Sequence, residues 1–248
     1  TLYSSDPPKR MVGTITIQDA SGAIVDVIAQ KLIRSGEMAG LIEMRDTTLV
    51  QAQAQLDELA ASLSSALSDR TQAGTVSGTG SGFDLDTTGL ATGNIVTIDA
   101  TVGGVAKRIA VVRVDRTPAP ALTANDVPGA DTVLTVSMAS GLSGLTTALQ
   151  TALGASFTVS ATGASLKVLG DGTASNKVQA LSANITMPAL TNGIGAKAMP
   201  FFLDSGVSYS GNYEGVSQKQ GFAGRISMNA ALTTNPKLLV ISDTGQTT

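Results

Sequence analysis

Carboxylates are the side chains in this sequence with the widest choice of chemistry, because the chain contains no His and no Cys. That absence removes imidazole bases, thiol nucleophiles, disulfides and metal sites built on nitrogen or sulfur. An enzyme here would run on carboxylates, Lys, Ser or Tyr. Glu37, Glu43 and Asp46 sit close to Arg45 and offer a carboxylate pair, but acids in the first turns of a helix also favour its dipole, and that is the preferred reading. Asp84, Asp86 and Asp99, and the run DGTASN at 171 to 176, offer oxygens of the kind that bind calcium. Neither group has the spacing of an EF-hand loop, and Asp/Gly clusters are ordinary turn formers. GTGSG at 78 to 82 lacks the GK[ST] ending of a phosphate loop and does not lie between a strand and a helix. No catalytic residue, metal or cofactor is expected.

The strongest pattern is structural. GEMAGLIEMRDTTLVQAQAQLDELAASLSSALSDR, from Gly36 to Arg70, predicts a long amphipathic helix over 37–68. Leu49, Ala52, Leu56, Leu59, Leu63 and Ala66 recur three and four residues apart, so they share one side, while Gln53, Gln55, Asp57, Glu58 and Ser62 face away. Ser35 is the expected N-cap. Leu49, Leu56, Leu59 and Leu63 are expected to form intrachain core, with part of the stripe serving as an assembly seam. At 1.5 Å per residue the helix is roughly 50 Å long, too long for a small core to bury from end to end.

Elsewhere the chain is written in strand and turn residues, and the fold class is α+β. VGTITI and IVDVIAQKLI predict a hairpin ahead of the helix. Residues 94–115 predict a hairpin turning at Gly103-Gly104, 132–138 a strand, 142–153 a short helix with a Leu face, 157–170 a second hairpin and 178–187 an edge strand. Leu238, Leu239, Val240 and Ile241 are candidates for burial. The Gly/Ser/Thr run 71–82 is expected to be a linker between an inner α/β domain, 1–70 with 205–248, and a β-rich inserted outer domain, 83–204. Apolar residues make up 42% of the chain and aromatics 3%, with 27 glycines; this mixture suits sheets and closely packed helices better than a deep ligand pocket. A net charge of −3 without clustered Lys, Arg and aromatics argues against nucleic acid. No signal peptide is visible, and no run approaches the ~18 apolar residues of a bilayer span.

Two segments carry a family resemblance: SGEMAGLIEMRDTTLVQAQAQLDELAASL at 35–63 and GFAGRISMNAALTTNPKLLVIS at 221–242, in that order around a variable β-rich insert. Together they resemble the bacterial flagellar hook-associated protein 1 family, over roughly the whole chain. The resemblance implies a structural component of the flagellum, not an enzyme. Such a protein forms the junction between hook and filament and transmits torque, and it is extracellular after unfolded export through the flagellar channel. It implies as partners copies of the chain in a ring, the hook protein, the second junction protein or flagellin, and an export chaperone, with no membrane. It raises Arg45 and Asp46 as structural contacts. Relatives carry heptad helices at both ends that are not seen here, so the chain is expected to be a central fragment; relatives also commonly have an Asn and a His where this helix ends in LSDRTQAG. Two other classes stand as alternatives. A secreted surface-binding module, such as an adhesin or phage-tail domain, should show repeats of its β unit. A carboxylate-dependent hydrolase needs an aromatic-lined cleft that 3% aromatics barely supply.

Overall fold

A computed structural model describes residues 13–18, 20–78, 81–187 and 200–236; the apolar run from Leu238 to Ile241 lies outside them. The described chain forms two compact units. One holds the residues up to Ala61 together with Lys219–Arg225, and the other holds Ser62–Gln218 together with the residues from Ile226 onward.

In the helical unit, strands β1 (Thr16–Gln18) and β2 (Ile24–Asp26) form the expected hairpin. The chain then leaves β2 through a turn fastened by Asp26, whose Oδ1 accepts from the amides of Ile28 and Ala29 and from the Thr14 hydroxyl. The long helix follows as α1 (Gly36–Glu43), a π turn (Met44–Thr48) and α2 (Leu49–Ser68). Ser35 is the N-cap by backbone geometry, but its side chain makes no capping bond. In the π turn the Leu49 amide bonds back to the Met44 carbonyl. An unbroken α-helix would set Leu41 and Leu49 about 80° apart, and the wider π turn reduces that offset.

The β-rich unit begins without slack. Residues 71–82, expected as a linker, instead continue β3 (Asp69–Ala73) and supply β4 (Thr75–Val76) and the start of β5 (Gly82–Asp86). Thr and Val in 71–76 are good strand residues, and pairing with distant strands overrides the linker-like composition. β3 belongs to a five-stranded sheet, β3-β11-β6-β7-β8, with β6 Ile95–Val102, β7 Val105–Val114, β8 Thr132–Ser137 and β11 Lys177–Thr186. β4 belongs to a second sheet, β4-β5-β10-β9, with β9 Thr158–Thr162 and β10 Ser165–Leu169. Gly74 is the corner where the chain passes from one sheet to the other. A Cβ there would lie 2.8 Å from the Leu181 carbonyl oxygen, so no larger residue fits without moving the backbone.

Other expectations hold in this unit. Gly103 and Gly104, at φ +59° and +83°, make the tight turn between β6 and β7. β7 is buried on both faces along IAVVRV, with Ile109 and Val111 on one side and Ala110, Val112 and Val114 on the other. α3 (Ser143–Leu153) turns Leu145, Leu149 and Leu153 into the core, where they join Val96, Ile98, Val111, Leu85, Leu166 and Val168 from the two sheets. β11 is not an edge strand as expected, since it pairs with both β3 and β6. A three-stranded sheet, β13 (Val207–Ser208), β12 (Phe202–Asp204) and β14 (Ile226–Met228), and the short α4 (Ala230–Thr234) complete the unit.

The boundaries therefore differ from a division into 1–70 with 205–248 and 83–204. The last turns of the helix, Ser62–Ser68, cluster with the sheets, and from the later chain only Lys219–Arg225 clusters with the first part.

Where α2 runs into β3, Asp69 is pressed into the β-rich unit. Burial raises its pKa above the ordinary value, opposed by hydrogen bonds from Thr186 and Ser65, and its Oδ1 has no partner. The ionised form is thus the disfavoured one in the folded state. The penalty is absent below the unfolded carboxylate range and grows as the pH rises through it. Asp69→Asn is expected to melt at a higher temperature than wild type at pH 7, with the gap closing by about pH 3; a lower melting temperature at pH 7 would show that the carboxylate is needed as such.

Candidate assembly surface

The helix buries the side that its sequence marks as polar and small. Asp57, Ala60, Ala61, Ser64 and Ser68 are all buried, and at 100° per residue they fall within about 60° of Asp57 around the axis. The leucines are outside. Leu49, Leu56, Leu59, Leu63 and Leu67 are between 44% and 65% exposed, and they occupy an arc roughly 80° wide centred about 115° away from the buried face. Met38, Leu41 and Met44 are likewise half exposed. The expectation that Leu49, Leu56, Leu59 and Leu63 form intrachain core is therefore corrected: the described chain covers the other face.

Asp57 explains the choice of face. Its Oδ2 accepts from the Gly221 amide at 2.6 Å, and its Oδ1 accepts from the Ala223 amide and from Gln53 Nε2, each at 2.9 Å. Those two amides open the 3₁₀ turn Phe222–Gly224, whose Phe222 is the largest fully buried side chain among the described residues. Gly221 has φ +72°, a conformation that glycine adopts without strain. A buried carboxylate is costly unless it is fully bonded, and backbone amides meet that need here. Glu58 and Lys219 add an ion pair at 2.8 Å between exposed groups, which contributes little beside the buried bonds.

Asp57 was read from the sequence as part of the face turned away from the stripe, and nothing marked it as buried. The segment GFAGRIS at 221–227 supplies a left-handed glycine and two donors but does not name their acceptor.

The remaining candidates are placed as follows. Arg45 and Asp46 lie in the π turn and pair with each other, Nε to Oδ1 and Nη2 to Oδ2, both at 2.8 Å; Arg45 Nη1 also reaches the Gly13 carbonyl at 3.4 Å. Glu37 and Glu43 are exposed. The three acids considered as calcium oxygens have separate duties. Asp84 pairs with Lys167, Asp99 takes a two-bond grip on the cross-strand Arg108, and Asp86 accepts from the Thr88 amide. Asp171 accepts from the Thr173 hydroxyl and amide and from Asn176 Nδ2; these bonds, the Thr173 hydroxyl first, lower its pKa. Among the described residues no three His, Cys, Asp or Glu are grouped to hold a metal ion, and no helix is long and apolar enough to cross a membrane.

Removing the carboxylate leaves the buried Gly221 amide and the part-buried Ala223 amide without an acceptor. Asp57→Ala is expected to destabilise the helical unit by on the order of 3 kcal/mol, and Asp57→Asn, which keeps one acceptor oxygen, by less. Chemical denaturation monitored by helical circular dichroism measures both, and an Asp57→Ala variant as stable as wild type would remove the bond from its place in the unit.

Comparison with known proteins bears on the helical part of the chain. No curated protein and no solved structure matches. Residues 2–85, about a third of the chain, are similar to the helical domain of the flagellar hook-associated protein FlgK.

Proposed function

We propose that this chain is a structural subunit of the bacterial flagellar axial assembly, acting at the junction between hook and filament, and that the leucine side of its long helix is an assembly seam. One coincidence carries the reading: the segment similar to the FlgK helical domain, residues 2–85, contains a helix whose heptad-spaced leucines are exposed. A side chain already half covered still gains on the order of 1 kcal/mol when the rest of a leucine is buried. Five such residues in one arc supply a substantial drive for association, from which the cost of ordering the partners is subtracted. Heptad spacing asks for another helix as the covering element.

In this reading the work is mechanical. Subunits meet through helix seams, torque passes through those contacts, and the β-rich unit is the part free to vary. Copies of the chain, the hook protein and the second junction protein or flagellin are the proposed neighbours, with Arg45 and Asp46 stiffening the π turn from which the seam is presented. The site of action is extracellular after export, and no catalytic step is assigned.

The test uses Leu56→Asp and Leu59→Asp together, in the full-length protein, in a motile bacterium whose own copy of the gene is deleted. Both leucines are exposed, so the pair should change the stability of the chain by no more than about 1 kcal/mol, while filaments fail to attach to hooks and swarming is lost. Wild-type swarming would sink the proposal. A fall in melting temperature as large as that of a core variant such as Val111→Asp would mean that the stripe is covered within the chain.

A further inference from the structure

The two outer strands that flank α3 are treated differently by that helix. β9 ends the four-stranded sheet, and one side chain of α3 bonds the start of its outer edge and the turn that leads into it. Gln150 Nε2 donates to the carbonyls of Phe157 and Gly154 at 2.8 and 2.9 Å, and Gln150 Oε1 accepts from the Val159 amide at 3.0 Å. The glutamine amide thus stands in for the peptide of a neighbouring strand.

β8 ends the five-stranded sheet, and among the described residues no strand pairs with its far side. Its partner β7 runs parallel to it, and just past the strand the Met138 amide donates to the Val114 carbonyl at 3.1 Å. Alternation back along the strand then turns the main chain of Thr132, Leu134 and Val136 toward β7 and that of Val133 and Thr135 outward. The edge TVLTVS carries neither a charge nor a proline, the devices by which exposed edges are usually kept from pairing. Beside it runs a groove of about 540 Å³ between Thr135–Ser137 and the α3 residues Ser143, Gly144, Thr147 and Ala148. Gly144 closes one end, because a Cβ there would lie 2.9 Å from the Ser137 carbonyl oxygen. No charged side chain lines the groove.

We propose that the open edge of β8, with the groove beside α3, is a docking site for an extended, uncharged strand donated by a partner polypeptide. The outward amides and carbonyls of Val133 and Thr135 would supply the ladder, and the small side chains of α3 leave room for the partner's alternate side chains. The uncharged lining selects against acidic and basic segments, whose charges would be desolvated without a counter-ion. This site lies wholly in the β-rich unit and does not depend on the leucine seam.

Amide hydrogen exchange in isotope-labelled full chain tests the proposal, with an acetylated five-residue peptide of alternating threonine and valine as probe. In the free protein the amides of Val133 and Thr135 should exchange faster than those of Thr132, Leu134 and Val136 by about tenfold or more, and saturating peptide should remove that difference. A peptide with N-methylated alternate amides should not. Thr147→Arg, which fills the groove from an exposed helix position, should abolish protection, while Thr147→Val, which keeps the volume, should retain it. Equal protection of all five amides in the free protein, no protection by the peptide, or full protection in Thr147→Arg would overturn the proposal. Protection that grows with the protein's own concentration and without peptide would assign the edge to a second copy, and would also overturn it.

Discussion

The bonds from Asp57 to the amides of Gly221 and Ala223 set the helix in rotation about its own axis, and most of what the helix offers follows from that setting. A carboxylate cannot be left bare in an interior, so the face that carries Asp57 must be the buried one. Ala60, Ala61, Ser64 and Ser68 share that face and are small enough to be covered closely. The leucines, which hydrophobicity alone would place inside, are left out because one strongly bonded polar group has first claim on the interior. Hydrophobic burial is roughly proportional to area and indifferent to direction; a short charged hydrogen bond is neither, and here direction prevails.

The same competition explains which parts of the structure are legible in the sequence. Elements that follow their own local pattern are read correctly: the extent of the long helix, the Gly103-Gly104 hairpin and the Leu145, Leu149, Leu153 face of α3. Their local preference and their tertiary setting agree. The face of the long helix is misread because its partner is a backbone segment more than a hundred and sixty residues away, and backbone amides leave no trace in a pattern of side chains. Residues 71–76 are misread for a related reason. Gly, Ser and Thr look like linker, yet at Gly74 the glycine is required by the close approach of the Leu181 carbonyl.

Buried polar groups elsewhere show that this chain specifies its packing with hydrogen bonds as well as with volume. Asn94 accepts from the amides of Ala91 and Thr186 and donates to the Thr186 hydroxyl, closing one end of β6 onto the end of β11. Arg113 bonds the Asp115 carboxylate and the Leu90 carbonyl around the same corner. With few aromatics to fix the core by shape, such directional contacts help to single out one register among several that small aliphatic residues would tolerate.

The pairing of β3 with β11 has a kinetic consequence. Thr71 meets Asn184 across a separation of 113 residues, so a chain that emerges N-terminal end first, from a ribosome or through a narrow channel, presents β3 long before its partner exists. Closing so large a loop must precede any reward from the contacts it makes, which slows folding and leaves an unpaired strand waiting. The helix ahead of it can form from local bonds alone, but β3 cannot join the five-stranded sheet until β11, the last of its strands in the chain, has arrived.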